Sequence, residues 1–147
     1  MAGITIRKHI DAPVEEVFAR ATDLAKAHEV IRGIEKIELL SEGPVGKGTR
    51  FRETRIMFGR QATEEMEILE FEPPRRYTLG AQSHGCRYHS EYLLEPNGPG
   101  TVLQMTFEAT PLTMVAKIMS VIMKPMMKSM GKLCNQDLDD LKAAIER

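Results

Sequence analysis

The amino-acid sequence predicts an α+β domain in which a curved, seven-stranded antiparallel sheet wraps a long C-terminal helix, with two short helices after the first strand. Three observations predict it. From Gly48 to Glu108 short apolar–polar runs alternate with turn clusters and leave no room for a helix. The segment from Pro111 to Arg147 has helical periodicity throughout. Three successive hairpins, closed at their turn signals, agree on one polar and one apolar face.

The first strand is read from Ile4, Ile6 and Ile10, with Lys8 in the same phase. Asp11-Ala-Pro13 ends it and supplies an N-cap with proline just inside a helix start. Val14, Val17, Phe18 and Ala21 follow at helical spacing, and a second helical piece runs from Asp23 to about Arg32, stopped by Gly33. The next strand places Ile34, Ile37 and Leu39 inward, and Gly43 to Gly48 is a turn cluster.

Closing the next hairpin at Phe58-Gly59 sets Arg50 against Glu67, Arg52 against Glu65 and Thr54 against Thr63 outside, with Phe51 against Met66 inside. A turn over Gln82 to Gly85 pairs Arg76 with Glu91 and Thr78 with His89 outside, leaving Leu79 against Tyr88 and Tyr77 against Ser90 inside. A last loop over Glu95 to Gly100 sets Arg87 against Glu108 and Glu91 against Gln104 outside, with Tyr92 against Leu103 and Ser90 against Met105 inside. A sheet with one dry face needs a cover, and the terminal helix is the only element long and apolar enough.

At 147 residues the chain suits one domain, 1–147, with no space for a second core. Twenty basic against twenty-one acidic residues give a formal charge of −1, so the balance does not point to nucleic acid as a partner. The N-terminus lacks the apolar run of a signal peptide, and no segment reaches the roughly 18 apolar residues of a membrane span. A soluble, cytoplasmic protein is expected. Cys86 and Cys134 are too few for a disulfide framework and are read as reduced.

Ile10-Asp-Ala-Pro-Val-Glu-Glu-Val-Phe18, Gly43-Pro-Val-Gly-Lys-Gly-Thr-Arg-Phe51 and Glu70-Phe-Glu-Pro-Pro-Arg-Arg-Tyr77 resemble signatures of the START-like superfamily (SRPBCC), which includes polyketide cyclase/dehydrases and lipid-transfer domains. The resemblance covers essentially the whole chain and implies the helix-grip fold and a hydrophobic cavity. The matching residues punctuate structure and carry no chemistry, so the contents of the cavity do not follow from them.

The registers nominate the cavity wall. Phe51, Glu53 and Arg55 come from one strand, Glu64 and Met66 from the next, then Tyr77 and Leu79. Tyr88, Ser90 and Tyr92 follow, and Leu103 and Met105 complete the strand side. Glu53 faces Glu64 with Arg55 beside it, a polar end that could orient a ligand or act as acid and base, or could be a structural ion-pair cluster. Tyr77, Tyr88, Ser90 and Tyr92 supply four inward hydroxyls, able to bind a carbonyl or simply to pack. His84-Gly-Cys86-Arg-Tyr-His89 holds metal-ligand types, but strand parity separates His89 from Cys86, so no metal site or cofactor is expected.

Six of the ten methionines fall between Met114 and Met130. The apolar residues of that stretch spread over roughly 240° of a helix, more than a sheet can cover. Ile118, Met119, Ile122, Met123, Met126 and Met130 are therefore assigned to the cavity or its entrance, with Pro125 bending the helix so that this region gates entry. A homodimer or a transient membrane contact is the other use for the surplus apolar face, since Lys117, Lys124 and Lys128 flank it without any acid.

These readings favour binding or transport of a hydrophobic small molecule such as a lipid, isoprenoid, quinone or polyketide-like compound. The alternatives are a cyclase-, dehydratase- or hydrolase-type enzyme using the cavity carboxylates and tyrosines, and a partner- or membrane-binding module using the Met-rich helix.

Overall fold

In the computed structural model, which describes residues 2–147, β1 (Ala2–Ile10) alternates as its sequence demands, with Ile4, Ile6, Lys8 and Ile10 less exposed than their neighbours. Pro13 takes the N-cap position of α1 (Val14–Ala21), which buries Val14, Val17 and Phe18 on one side. Asp11 does not cap this helix. Its backbone N–H donates to the Glu146 carboxylate at the far end of the chain.

The second helical piece is divided into a 3₁₀ turn, Leu24–Lys26, and a single turn α2 (Ala27–Val30). β2 (Ile34–Leu39) follows; Ile34 is buried, but Leu39, although opposite Phe51, is exposed at the sheet edge rather than inside.

β3 (Arg50–Met57), β4 (Arg60–Glu72), β5 (Arg76–Ser83), β6 (Cys86–Asn97) and β7 (Gly100–Pro111) form a meander, and β1 returns to pair with β7. The seven-stranded order is β1-β7-β6-β5-β4-β3-β2, with every pairing antiparallel.

The β3–β4 register matches expectation, including Phe51 opposite Met66 and Glu53 opposite Glu64. The next two hairpins are each displaced by two residues. Their loops are tighter than expected: His84-Gly85, both with positive φ (52° and 75°), and Gly98-Pro99, so Ser83 pairs with Cys86 and Asn97 with Gly100. Tyr77 thus faces Tyr92, Leu79 faces Ser90, and Tyr92 faces Met105. On the outer face Thr78 faces Glu91, and Arg87 faces Thr110.

A slip of two preserves side-chain parity, which is why the inward and outward faces survive it, although Thr78 on the outer face is fully buried. Arg76 lies opposite Leu93 instead of Glu91, yet its Nε still reaches Glu91 at 2.8 Å while Nη1 binds Glu70 and Glu72 at 2.7 Å.

The C-terminal segment is two helices rather than one. Strand β7 runs on to Pro111, and Thr113 then caps α3 (Met114–Ile122), its Oγ1 accepting from the Ala116 N–H at 3.0 Å. Pro125 has no N–H to give to the Val121 carbonyl, so the helix stops and restarts as α4 (Met126–Glu146).

α4 buries Cys134, Leu138, Leu141 and Ile145 and lies along β1. Lys8 bridges to Asp139 at 2.7 Å, and Lys142 donates to the His9 carbonyl at 2.6 Å. The solid core gathers at this end, where Ile10, Val17, Phe18, Leu94 and Leu103 pack with Leu138 and Leu141. The other end of the sheet is left open beneath α3.

Candidate ligand cavity

Because α4 seals one end of the sheet and α3 crosses the other, the apolar face is not filled by side chains throughout. An outer chamber of about 860 Å³ lies under α3, walled by Phe107 and Ala109 of β7 and by Ala116, Met119 and Met123. An inner chamber of about 220 Å³ reaches toward β3, walled by Glu53, Arg55, Glu64, Tyr92, Met105 and Asp137. Tyr88, Phe107 and Met130 border both.

The structure brings together much of the nominated wall. Glu53, Arg55, Glu64, Met66 and Leu79 line the inner chamber with Tyr88, Ser90, Tyr92, Met105 and Met130. Met119, Met123 and Met126 line the outer one. Five nominated residues lie elsewhere. Phe51 is buried apart from both chambers, and Tyr77 and Leu103 are buried in the solid core, where the Tyr77 ring stacks on Tyr92 at 4.5 Å and meets Phe18 edge-on at 5.6 Å. Ile118 and Ile122 point to solvent, because α3 turns its Ala116 side to the sheet.

The polar trio is assembled differently from the expectation. Arg55 Nε donates to Glu53 Oε1 at 2.7 Å, but its Nη2 reaches across to Asp137 of α4 at 3.0 Å. Glu64 instead accepts the Ser83 hydroxyl at 3.0 Å.

Asp137 was missed, although Met130, Cys134 and Asp137 recur at helical spacing and put an acid on the cavity side of α4. Phe107 was missed although the register that set Arg87 against Glu108 puts it on the inward face, two residues beyond Met105.

Burial shapes the chemistry of these groups. It opposes the charge on Arg55, yet Glu53 and Asp137 outweigh it and hold the guanidinium above its ordinary pKa. The Asp137 carboxyl is raised by burial despite the Arg55 cation beside it. Burial, with Asp137 adding repulsion, pushes the Cys134 thiol up to about 11. The Tyr92 phenol is raised by burial and then by Tyr77, and Tyr88 by burial and then by Cys86. The tyrosines therefore face the cavity as neutral donors, and Cys134 as a neutral thiol.

Both cysteines are free, and among the described residues no group of three His, Cys, Asp or Glu side chains is placed to hold a metal.

The family described as "Polyketide cyclase / dehydrase and lipid transport" matches residues 1–146. The chain belongs to this family. No curated protein matches its sequence.

Among solved structures, TTHA0849 from Thermus thermophilus is similar at a TM-score of 0.81 and 20% identity, covering 98% of this chain and 97% of that one. The di-domain ARO/CYC BexL from the BE-7585A biosynthetic pathway gives a TM-score of 0.81 at 16% identity over 99% of this chain, which spans 50% of BexL. A START superfamily protein from Mycobacterium smegmatis gives 0.71 at 16% identity, covering 98% and 94%. These likenesses show the helix-grip fold. Family membership adds hydrophobic-ligand binding or cyclase-type chemistry as the functional range. No helix among the described residues is long and apolar enough to cross a membrane.

Proposed function

We propose that the protein is a cytoplasmic carrier or sensor of a hydrophobic small molecule, held in the cavity between the sheet and the two C-terminal helices. One observation carries this reading: the outer chamber, whose wall includes five methionines with Phe58, Tyr88 and Phe107, shares Tyr88, Phe107 and Met130 with an inner chamber lined by ionisable groups.

An elongated ligand would lay its apolar body under α3, where methionines adapt to irregular shapes. Its polar end would meet Tyr88, Tyr92 and Glu64. Three carboxylates against one guanidinium make that end a poor host for an anionic headgroup and a good one for a hydroxyl, phenol or amine.

Native mass spectrometry of freshly purified protein tests the proposal. A retained apolar mass is expected, and Met119→Gln with Met123→Gln should lower its occupancy while the fold persists. Full loss of folding in that variant, or a wild-type protein that takes up no apolar compound from a lipid and quinone panel, would oppose it.

A second reading, a cyclase- or dehydratase-type enzyme, is favoured by Glu64 lying on the same inner wall as Tyr88, with Ser83 bound to its carboxylate. There Glu64 would act as a base toward a bound polyketide-like chain and Tyr88 as a hydrogen-bond donor to the developing enolate. Turnover abolished in Glu64→Gln with binding retained would support it.

A further inference from the structure

α3 is inverted for a helix at a protein surface. Only Ala116 is buried on it. At about 100° per residue the side directly opposite carries Met114, Ile118, Val121 and Ile122. Those four are 73, 58, 73 and 63% exposed. Phe58, at the β3–β4 hairpin tip, borders the same outer chamber and is also exposed. An apolar surface this continuous, gathered at one end of the molecule, marks a contact.

The charge around it is one-sided. The segments that supply the outer chamber, 56–63, 79–90 and 107–136, contain a single acid, Glu108, against Arg60, Arg87, Lys117, Lys124, Lys128 and Lys132. The remaining fourteen basic residues face twenty acids, so the rest of the chain carries a formal −6. A nearly neutral protein is thus polarised, with its cations around its exposed apolar helix. A second copy docking face to face would set six cations against six, which disfavours a symmetric dimer here.

We propose that this end of the molecule docks on an anionic lipid bilayer. α3 would lie in the headgroup layer with Ile118 and Ile122 toward the acyl chains, while the lysines pair with lipid phosphates. Docking sets the outer chamber against the bilayer, so the ligand passes between membrane and cavity without crossing water. The transfer step rests on the carrier reading; the docking itself rests on α3 and its charges.

The test is co-sedimentation of the full chain with vesicles of equimolar phosphatidylcholine and phosphatidylglycerol, against vesicles of phosphatidylcholine alone. Uptake of Nile red, a neutral apolar dye, is measured in parallel without vesicles. Binding is expected on the anionic vesicles only. It should weaken about tenfold in Ile118→Gln/Ile122→Gln and in Lys117→Gln/Lys128→Gln, with dye uptake unchanged.

Dye uptake without vesicle binding overturns the docking and leaves the carrier reading intact. Vesicle binding without dye uptake supports docking and opposes the carrier. Equal binding to both vesicle types overturns the role of the cations. A dimer that Ile118→Gln/Ile122→Gln dissociates, with vesicles ignored, overturns the proposal and assigns the face to a second copy.

Discussion

Arg55 ties the sheet to the closing helix: its guanidinium lies 2.7 Å from Glu53 on its own strand and 3.0 Å from Asp137 on α4. Removing it leaves two buried carboxylates facing one cavity. Arg55→Ala should cost about 3 kcal/mol at neutral pH. Without the cation, the folded-state pKa of Asp137, already raised, rises further. A raised carboxyl pKa favours the folded state below the unfolded value and loses that advantage as pH climbs through the folded one. The deficit should therefore be small near pH 3 and grow toward neutrality. Urea midpoints of parent and variant across that range check this, and parallel pH profiles would contradict it.

The lid can be loosened separately from the body. Thr113→Ala removes the N-cap of α3 and should weaken that helix by about 1 kcal/mol. Since α3 packs chiefly on the end of β7, global unfolding should barely move. Hydrogen exchange should quicken over 114–122 and not in α4. Gly85→Ala should act more strongly on the same place. Gly85 has φ of 75°, and a Cβ there would meet Thr113 Oγ1 at 2.9 Å.

Ligand choice should follow the charge of the inner chamber. Glu64 has a hydroxyl partner, Ser83, and no salt bridge among the described residues. A long-chain alcohol should displace Nile red at about tenfold lower concentration than the fatty acid of equal length, and Glu64→Gln should narrow that gap. Competition titrations at constant pH measure both. A fatty acid that competes better than the alcohol would reverse the assignment of the headgroup.

The two thiols should differ. Cys134 is buried in the wall of the inner chamber, with its pKa pushed up to about 11, whereas Cys86 is half-buried beside the β5–β6 turn. At pH 8 a thiol reagent should modify Cys134 far more slowly than Cys86, and Cys86→Ser should leave one slow thiol. Equal rates would show that α4 lifts readily from the sheet.

Strand parity explains how much of this was legible. The alternation of Phe51, Glu53 and Arg55, and of Tyr88, Ser90 and Tyr92, fixes a face however a hairpin closes, so inward residues were readable even where two registers were off by two. The turns misled because His84-Gly85 and Gly98-Pro99 sit inside longer polar stretches, and charge pairing alone does not separate a two-residue loop from a four-residue one. Tertiary placement was less readable. Nothing local to Tyr77 says that Phe18 will cover it, and nothing local to Ile118 says that α3 will turn Ala116 inward. The break at Pro125 was legible as a bend, but its consequence, an independent helix with its own orientation, depends on where β7 ends.

The pairing of β1 with β7 has a consequence for how the chain is made. Arg7 bonds to Gln104, 97 residues away, and Lys142 and Glu146 then hold the stretch from His9 to Asp11. β1, which precedes the other six strands, is thus among the last of them to find its neighbour. Until β7 is synthesised, Ile4, Ile6 and Ile10 have no sheet partner, and until α4 follows they have no cover, and such distant pairings set a slow pace for folding. Shortening the chain anywhere within α4 would strand its beginning as much as its end.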